Sequence, residues 1–362
     1  MRDAIAVVKG AAESRRRPTF AKRLVAWQRT HGRHDLPWQN THDPYRIWLS
    51  EIMLQQTQVS IVVAYFVRFV AAFPDLRSLA AAPLERVLQL WSGLGYYRRA
   101  HHLHAAAQLV AASHRGVFPS DVRAIAALPG IGRSTAAAIA AFAYGIRVPI
   151  LDGNVKRVLA RHRGIEGFPG APKVAAELWR HAESLLPACD IAPYTQGLMD
   201  LGATVCTRTK PRCAECPVAS DCVARTTSRV DALPSIRPKK PLPQRALQVL
   251  LIECAGEILF ERRPAVGIWG GLWSLPETGC DDDVAKNCHA RFGATVVAGS
   301  ELPAIEHGFT HYRLTLHPRQ VSVRHWPSRA EEPGLVWLSR VDAINAALPA
   351  PIRKLVRSLA PR

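Results

Sequence analysis

Residues 128–142 read LPGIGRSTAAAIAAF: a proline, two glycines bracketing an isoleucine, then small residues with no helix breaker. The glycines permit close backbone approach, and the helix after them offers unpaired amides and the positive end of its dipole. A phosphate suits that place. An ordinary helical hairpin with a glycine turn accounts for the same residues, so the stretch predicts the turn and the helix and leaves its ligand open.

Outward from that hairpin the pattern is uniform. Residues 20–225 are rich in alanine, leucine and arginine at helical spacing, as in Leu84-Val87-Leu88-Trp91 and Ala136-Ile139-Ala140, which predicts an all-α region. TTSRVDALPSIRPKKPLPQR, residues 226–245, holds four prolines and many charges and suits an extended linker. Beyond it come short strands, ALQVLLIEC, EILFERR, RLTLH and GLVWLS, with helices expected near 282–292 and 341–358. The expected organisation is an all-α domain over 1–225 with a hairpin at about 122–142, a linker over 226–245 and an α+β domain over 246–362.

Lysine and arginine number 47 against 29 acids, a net charge of +18, which favours a polyanionic partner. The apolar run Ala4 to Val8 is too short for a secretory signal, and Arg15 to Arg17 follow it rather than precede it. Eighteen uninterrupted apolar residues occur nowhere. The expectation is a soluble, cytoplasmic chain without a membrane partner, whose eight cysteines form no disulfide framework.

The strongest local signal is CTRTKPRCAECPVASDC, residues 206–222. Cys206, Cys213, Cys216 and Cys222 let one loop present four thiolates to a single centre. Zinc is the general choice for four thiolates, and iron–sulfur clusters also take four cysteines, so the residues leave the metal open. Arg208, Lys210 and Arg212 alternate inside the loop and form a basic finger suited to a phosphate backbone. Cys189, Cys254, Cys280 and Cys288 lack ligand spacing and read as packing or surface thiols.

Taken together, the cysteine loop, LPGIGRST and the following LDGNVKRVLAR resemble the helix-hairpin-helix DNA glycosylases of the endonuclease III and MutY types over most of residues 20–225. The resemblance implies one [4Fe-4S] cluster on Cys206, Cys213, Cys216 and Cys222. It places Gly130, Gly132 and Ser134 on a DNA backbone, together with Arg208 and Lys210. It also makes Asp152 the catalytic aspartate that steadies or covalently traps a cationic sugar, with Asn154 orienting it or the water. Taken by itself Asp152, just ahead of a helix, is an N-cap; both roles coexist because capping holds the carboxylate rigid. Strand-cleaving relatives carry a lysine where this chain has Ser134, and the guanidinium of Arg133 is a poor nucleophile. Base removal without strand cleavage is therefore expected.

Glycosidic hydrolysis needs a proton on the leaving group and a counter-charge for an oxocarbenium-like sugar. In LSEIMLQQTQVS, Glu51, Gln55 and Gln58 form an i, i+4, i+7 polar stripe, a pattern common to solvated faces. Its neighbours Trp48, Ile52, Met53 and Leu54 argue instead for a partly dry carboxyl with a raised pKa, fit to donate. A glutamate there is similar to the MutY type and implies protonation of adenine N7. SEIMLQQTQ and WSGLGYYRRA resemble the segments that extrude the base. By that likeness Gln55 or Gln56 plugs the vacated stack, Leu94 and Tyr96 wedge beside it, Trp38 and Leu54 wall the adenine pocket, and Gln196 faces the base. Core packing is the alternative for each aromatic.

WGGLWSLPE and EHGFTHYRLTLHP resemble the Nudix-like C-terminal domain of the MutY type. Phe309, Thr310 and His311 match its 8-oxoguanine recognition segment, with threonine in place of serine. GCDDDVAKNCHARFG lacks the paired glutamates of a Nudix hydrolase, so no phosphohydrolysis is expected. The implied protein is multidomain, an all-α helix-hairpin-helix glycosylase domain with an iron–sulfur loop plus an α+β Nudix-like domain. The implied activity is that of a monomeric, monofunctional glycosylase removing adenine opposite 8-oxoguanine or guanine in double-stranded DNA. Two other readings stand beside it: a thymine-mismatch or oxidised-pyrimidine glycosylase on the same scaffold, and a non-catalytic zinc-bearing protein that binds damaged DNA.

Overall fold

Thr19 opens the first helix, Phe20–His31, by accepting a hydrogen bond from the Lys22 amide, and capping of this kind recurs along the helical half. Asp43, Asp75, Asp121 and Asp152 cap Pro44–Leu54, Leu76–Ala81, Val122–Ala127 and Gly153–Arg163, each satisfying amides that a helix start leaves unpaired. The structure is a computed structural model that describes residues 18–237, 241–327 and 333–359; Ala4 to Val8 and Arg15 to Arg17 lie outside it. Among the described residues no strand precedes Gln244, and no helix is long and apolar enough to cross a membrane.

The chain packs as two units, and two of the three boundaries between them fall inside the helical half. One comprises residues 18–34 with 145–236, the other residues 35–144 with the described part of 237–362. In the first, Leu24, Val155, Leu159, Leu178, Tyr194 and Leu198 are buried. Much of the proline-rich stretch belongs to this unit rather than to a free linker. Arg161 Nε donates to the carbonyls of Val230 at 3.0 Å and Leu233 at 2.8 Å, and Leu233 is buried. Composition alone does not reveal this, because the anchoring guanidinium comes from a distant helix.

In the second unit the helix Pro44–Leu54 lies against Arg133–Tyr144, whose Ala136 through Ala141 are all buried. The C-terminal part is a mixed sheet in the order Trp273–Ser274, Glu257–Arg262, Gln244–Cys254, Arg313–His325, Thr295–Glu301. Gln244–Cys254 and Arg313–His325 run parallel, from Gln244 opposite Arg313 to Glu253 opposite Ser322; the remaining pairs are antiparallel. Helix Val284–Phe292 covers one face, burying Leu250, Ile252, Leu259, Val284, Cys288 and Phe292 together. Sequence patterning finds four of these strands and misses Trp273–Ser274, Glu277–Thr278, Thr295–Glu301 and Ile305–Gly308, which are short or exposed along most of their length. The expected helix at 341–358 is two, Arg340–Asn345 and Ala350–Ser358, the second started by Pro349 and Pro351, which fit a first helical turn but not an interior.

Candidate functional site

Asp152 stands at the end of an extended segment, φ −78° and ψ −176°, and its carboxylate accepts the Val155 amide at 2.7 Å. Burial raises its pKa above the ordinary carboxylate value, against the opposing pull of the Val155 and Asn154 amides and of Arg157 and Lys156. Asn154 steadies Asp152 through its backbone. Its side-chain oxygen instead accepts from Arg157 Nη2 at 2.9 Å. Gly202 makes room for this crossing, since a Cβ there would lie 2.6 Å from that of Asn154.

The helix that Asp152 caps also holds the cysteine loop. Arg157 donates to the carbonyl oxygens of Cys206 (2.7 Å) and Gly202, and Arg161 donates to the Thr207 carbonyl at 2.7 Å and to the Cys206 sulfur at 3.4 Å. Cys206, Cys213, Cys216 and Cys222 line one small cavity of about 30 Å³. Burial and the neighbouring cysteines push the Cys216 thiol up to about 12, and burial raises Cys222. Among the described residues no three His, Cys, Asp or Glu side chains are placed to hold a single metal ion. Arg208 and Lys210 are exposed on the loop, whereas Arg212 pairs with Glu215 at 2.9 Å. Gln196, in the same unit, donates to the buried Asp200 at 2.9 Å, and Arg33 forms an ion pair with that carboxylate at 2.6 Å.

In the second unit Glu51 is half-buried on Pro44–Leu54, beside fully buried Ile52 and Met53, and Leu54 is half-buried at the helix end. Gln55 closes that helix and reaches the hairpin, its Nε2 donating to the Gly130 carbonyl at 3.3 Å. Gln56 and Tyr96 are both exposed with positive φ, 59° and 49°, conformations that side chains other than glycine adopt only under constraint. Leu94 is buried, and Trp38 packs edge-on against Phe66 at 5.3 Å.

One arginine links the two loops that carry these residues. Buried Arg99 donates through Nη1 to the carbonyls of Ile52 (3.0 Å), Met53 (2.7 Å) and Gln55 (2.6 Å), and through Nη2 to Thr57 Oγ1 and the Gly95 carbonyl. Burial lowers its pKa to about 10. Sequence reasoning missed it. The available signal was a cation on an apolar stripe, since Arg99, Leu103, Ala106 and Val110 share the buried face of Arg98–Ser113.

The hairpin joins Val122–Ala127 to Arg133–Tyr144, with Ser134 in the first turn of the second helix. Gly130 has φ +78°, and a Cβ on it would lie 2.8 Å from that of His102; Gly132 faces open space. In the sheet domain, Phe309 to Tyr312 form the loop between the paired strands Ile305–Gly308 and Arg313–His325, closed by the Phe309 amide donating to the Tyr312 carbonyl at 2.9 Å. Phe309 sits among Trp269, His307 and Tyr312 at ring distances of 5.4, 4.7 and 4.7 Å, while Thr310 and His311 are exposed. His101 bonds the Gly270 carbonyl at 2.9 Å and so ties the Trp269 loop to the helix that holds Arg99.

Two family models match, the HhH-GPD superfamily of base excision DNA repair proteins over residues 49–184 and the NUDIX domain over residues 248–358. An adenine DNA glycosylase of Buchnera aphidicola subsp. Acyrthosiphon pisum (strain APS) is 33% identical over 340 residues, spanning 94% of this chain and 97% of the relative. The chain belongs to the adenine DNA glycosylase family. A second member of that family, from Mus musculus, is 32% identical across 93% of this chain and 77% of its own length. A solved thermostable thymine-DNA glycosylase covers 57% of this chain at 29% identity with a TM-score of 0.53. Membership in the adenine DNA glycosylase family thus spans both the helical half, with Glu51 and Asp152, and the sheet domain with Phe309 to His311.

Proposed function

We propose that this protein hydrolyses the N-glycosidic bond of adenine paired with 8-oxoguanine or guanine in duplex DNA and leaves the strand intact. The similarity to adenine DNA glycosylases along nearly the whole chain carries this reading, since it includes the sheet domain as well as the helical half. Gln55 or Gln56 plugs the stack left by the extruded adenine, and Leu94 and Tyr96 wedge beside it. Trp38, Leu54 and Gln196 are assigned to the adenine pocket. Gly130, Gly132 and Ser134 contact the DNA backbone, Arg208 and Lys210 are separately assigned to it, and Phe309, Thr310 and His311 meet the opposite base.

Glu51 donates its proton to adenine N7, and the bond from deoxyribose C1′ to N9 breaks with its electron pair leaving on the purine. The cation left on the sugar is offset by the Asp152 carboxylate, which Val155 and Asn154 hold in place; water then forms the new C–O bond at C1′ and releases its proton to solvent. With serine at position 134, no amine is present there to form a Schiff base with the sugar.

We further assign a [4Fe-4S] cluster to Cys206, Cys213, Cys216 and Cys222. Their common cavity supports it, since four cysteine thiols line one small void, a donor set that suits such a cluster. When bound, the cluster supplies a covalent crosslink of the loop. Arg157 and Arg161 hold that loop on the helix that starts at Asp152.

The test is a duplex panel with adenine opposite 8-oxoguanine or guanine, thymine opposite guanine, and a damaged pyrimidine, each given to the native chain, Glu51→Gln and Asp152→Asn and then to alkali. Adenine loss by the native chain alone, with scission only after alkali, is expected. Excision of thymine or damaged pyrimidine in place of adenine would replace the substrate assignment with a different glycosylase.

A further inference from the structure

Between the helices Val59–Ala72, Leu84–Trp91 and Ala350–Ser358, all in the second unit, lies a cleft of about 690 Å³. Arg68, Arg86, Arg353, Lys354 and Arg357 line it, and no carboxylate does. Among the described residues none of the five takes part in an ion pair. The adjacent acid, Glu85, is occupied elsewhere, accepting from Trp273 Nε1 at 2.6 Å.

Three of the five cations, Arg353, Arg68 and Arg86, are held by contacts with the fold, while Lys354 and Arg357 are exposed. Arg353 Nη2 donates to Ser92 Oγ at 2.6 Å and to the Ala346 carbonyl at 2.8 Å, while its Nε is buried with no partner. Arg68 lies over the Tyr65 ring at 4.5 Å and donates to the Leu90 carbonyl. Arg86 donates to Gln89 Oε1 at 2.7 Å, and Gln89 in turn donates to the Asn345 carbonyl. Burial, with Arg357 and Arg68 adding repulsion, lowers the pKa of Arg353. Like charges fixed in a concave wall focus a positive potential and retain unused guanidinium donors, an arrangement complementary to phosphate oxygens.

We propose that this cleft binds phosphate groups, the chemistry shared by a nucleic-acid backbone and a free polyphosphate, apart from Glu51, Asp152 and the hairpin turn. The full-length native chain is compared with Arg86→Gln/Lys354→Gln/Arg357→Gln, whose three side chains are exposed, and with Lys354→Gln alone in case the triple variant melts early. Calorimetric titration with inorganic tripolyphosphate should show binding to the native chain and at least a tenfold loss in the triple variant. Binding of an undamaged duplex as a function of salt identifies the source. Loss of about 0.9 from the slope for each phosphate contact removed assigns the cleft to the backbone, and an unchanged slope assigns it to a free polyphosphate. Equal tripolyphosphate binding by both chains, or none by the native one, overturns the site. The tripolyphosphate titration contains no DNA and reads no excision, which keeps this test separate from that of the proposed activity.

Discussion

Arg99 donates to the main-chain carbonyl of Gln55 at 2.6 Å, and the same guanidinium reaches the Gly95 carbonyl at 3.1 Å. The loop proposed to fill the vacated stack and the loop proposed to wedge beside it thus share one fixed point.

Replacing Arg99 by lysine keeps a charge but abandons most of a fork that serves five acceptors. The loss should destabilise the fold by about 2–3 kcal/mol. As a positioning residue it should also lower the single-turnover excision rate by about ten- to a hundredfold, with a much smaller change in Kd for the same duplex. Thermal unfolding together with single-turnover kinetics checks both. An unaltered excision rate in a destabilised variant would reduce Arg99 to a packing residue.

Asp152→Asn separates stability from chemistry. Asparagine caps a helix as well as aspartate does, so the substitution removes the charge and keeps the cap. Burial raises the folded-state pKa of Asp152 above its unfolded value. The native chain is therefore penalised increasingly as pH rises from the unfolded value through the folded one, and the variant escapes that penalty. Its melting temperature should equal the native one at acid pH and exceed it near neutrality by about 2–4 °C per kcal/mol relieved, while excision is lost. A variant that melts below the native chain at pH 7.5 would contradict this sign.

The two hairpin glycines should behave differently. Gly130→Ala forces a side chain into positive φ and against His102, at a cost of about 1–2 kcal/mol or more, and should weaken duplex binding by displacing the turn. Gly132→Ala meets open space within the protein and should stay within about 0.5 kcal/mol of the native chain in folding stability. Chemical denaturation and a binding titration of each variant suffice; equal effects would refute the assignment of the turn.

Phe309→Ala empties the centre of the ring cluster formed with Trp269, His307 and Tyr312. The preference for 8-oxoguanine over guanine opposite adenine should fall about tenfold, or about 1.4 kcal/mol, with the rate on the guanine pair nearly constant. Parallel loss on both pairs would move Phe309 from recognition to general folding. Thr310→Ser keeps the hydroxyl and should leave the ratio unchanged.

Thiolate coordination has an optical signature. A native preparation should absorb in the visible from sulfur-to-iron charge transfer, and Cys213→Ser should bleach it and lower thermal stability. A colourless protein containing stoichiometric zinc would refute the cluster assignment.

Local chemistry was legible in the amino-acid order because it acts over a few residues. Helical spacing, the aspartates ahead of helices, the cysteine spacing and the glycine turn all depend on neighbours within a turn or two of chain. Asp152 as a cap and the hairpin around Gly130 follow from that alone. Only the tertiary structure decided which charges are buried and what they hold. Nothing near Arg99, Arg157 or Arg161 in sequence names their partners, yet each directs its guanidinium to carbonyls supplied by remote segments. The reason is physical: an internal polar group must find partners wherever the folded chain exposes unpaired oxygens, and that supply is fixed by packing rather than by sequence proximity. For the same reason burial raises the pKa of Asp152, and packing draws Leu233 out of an expected linker into a core.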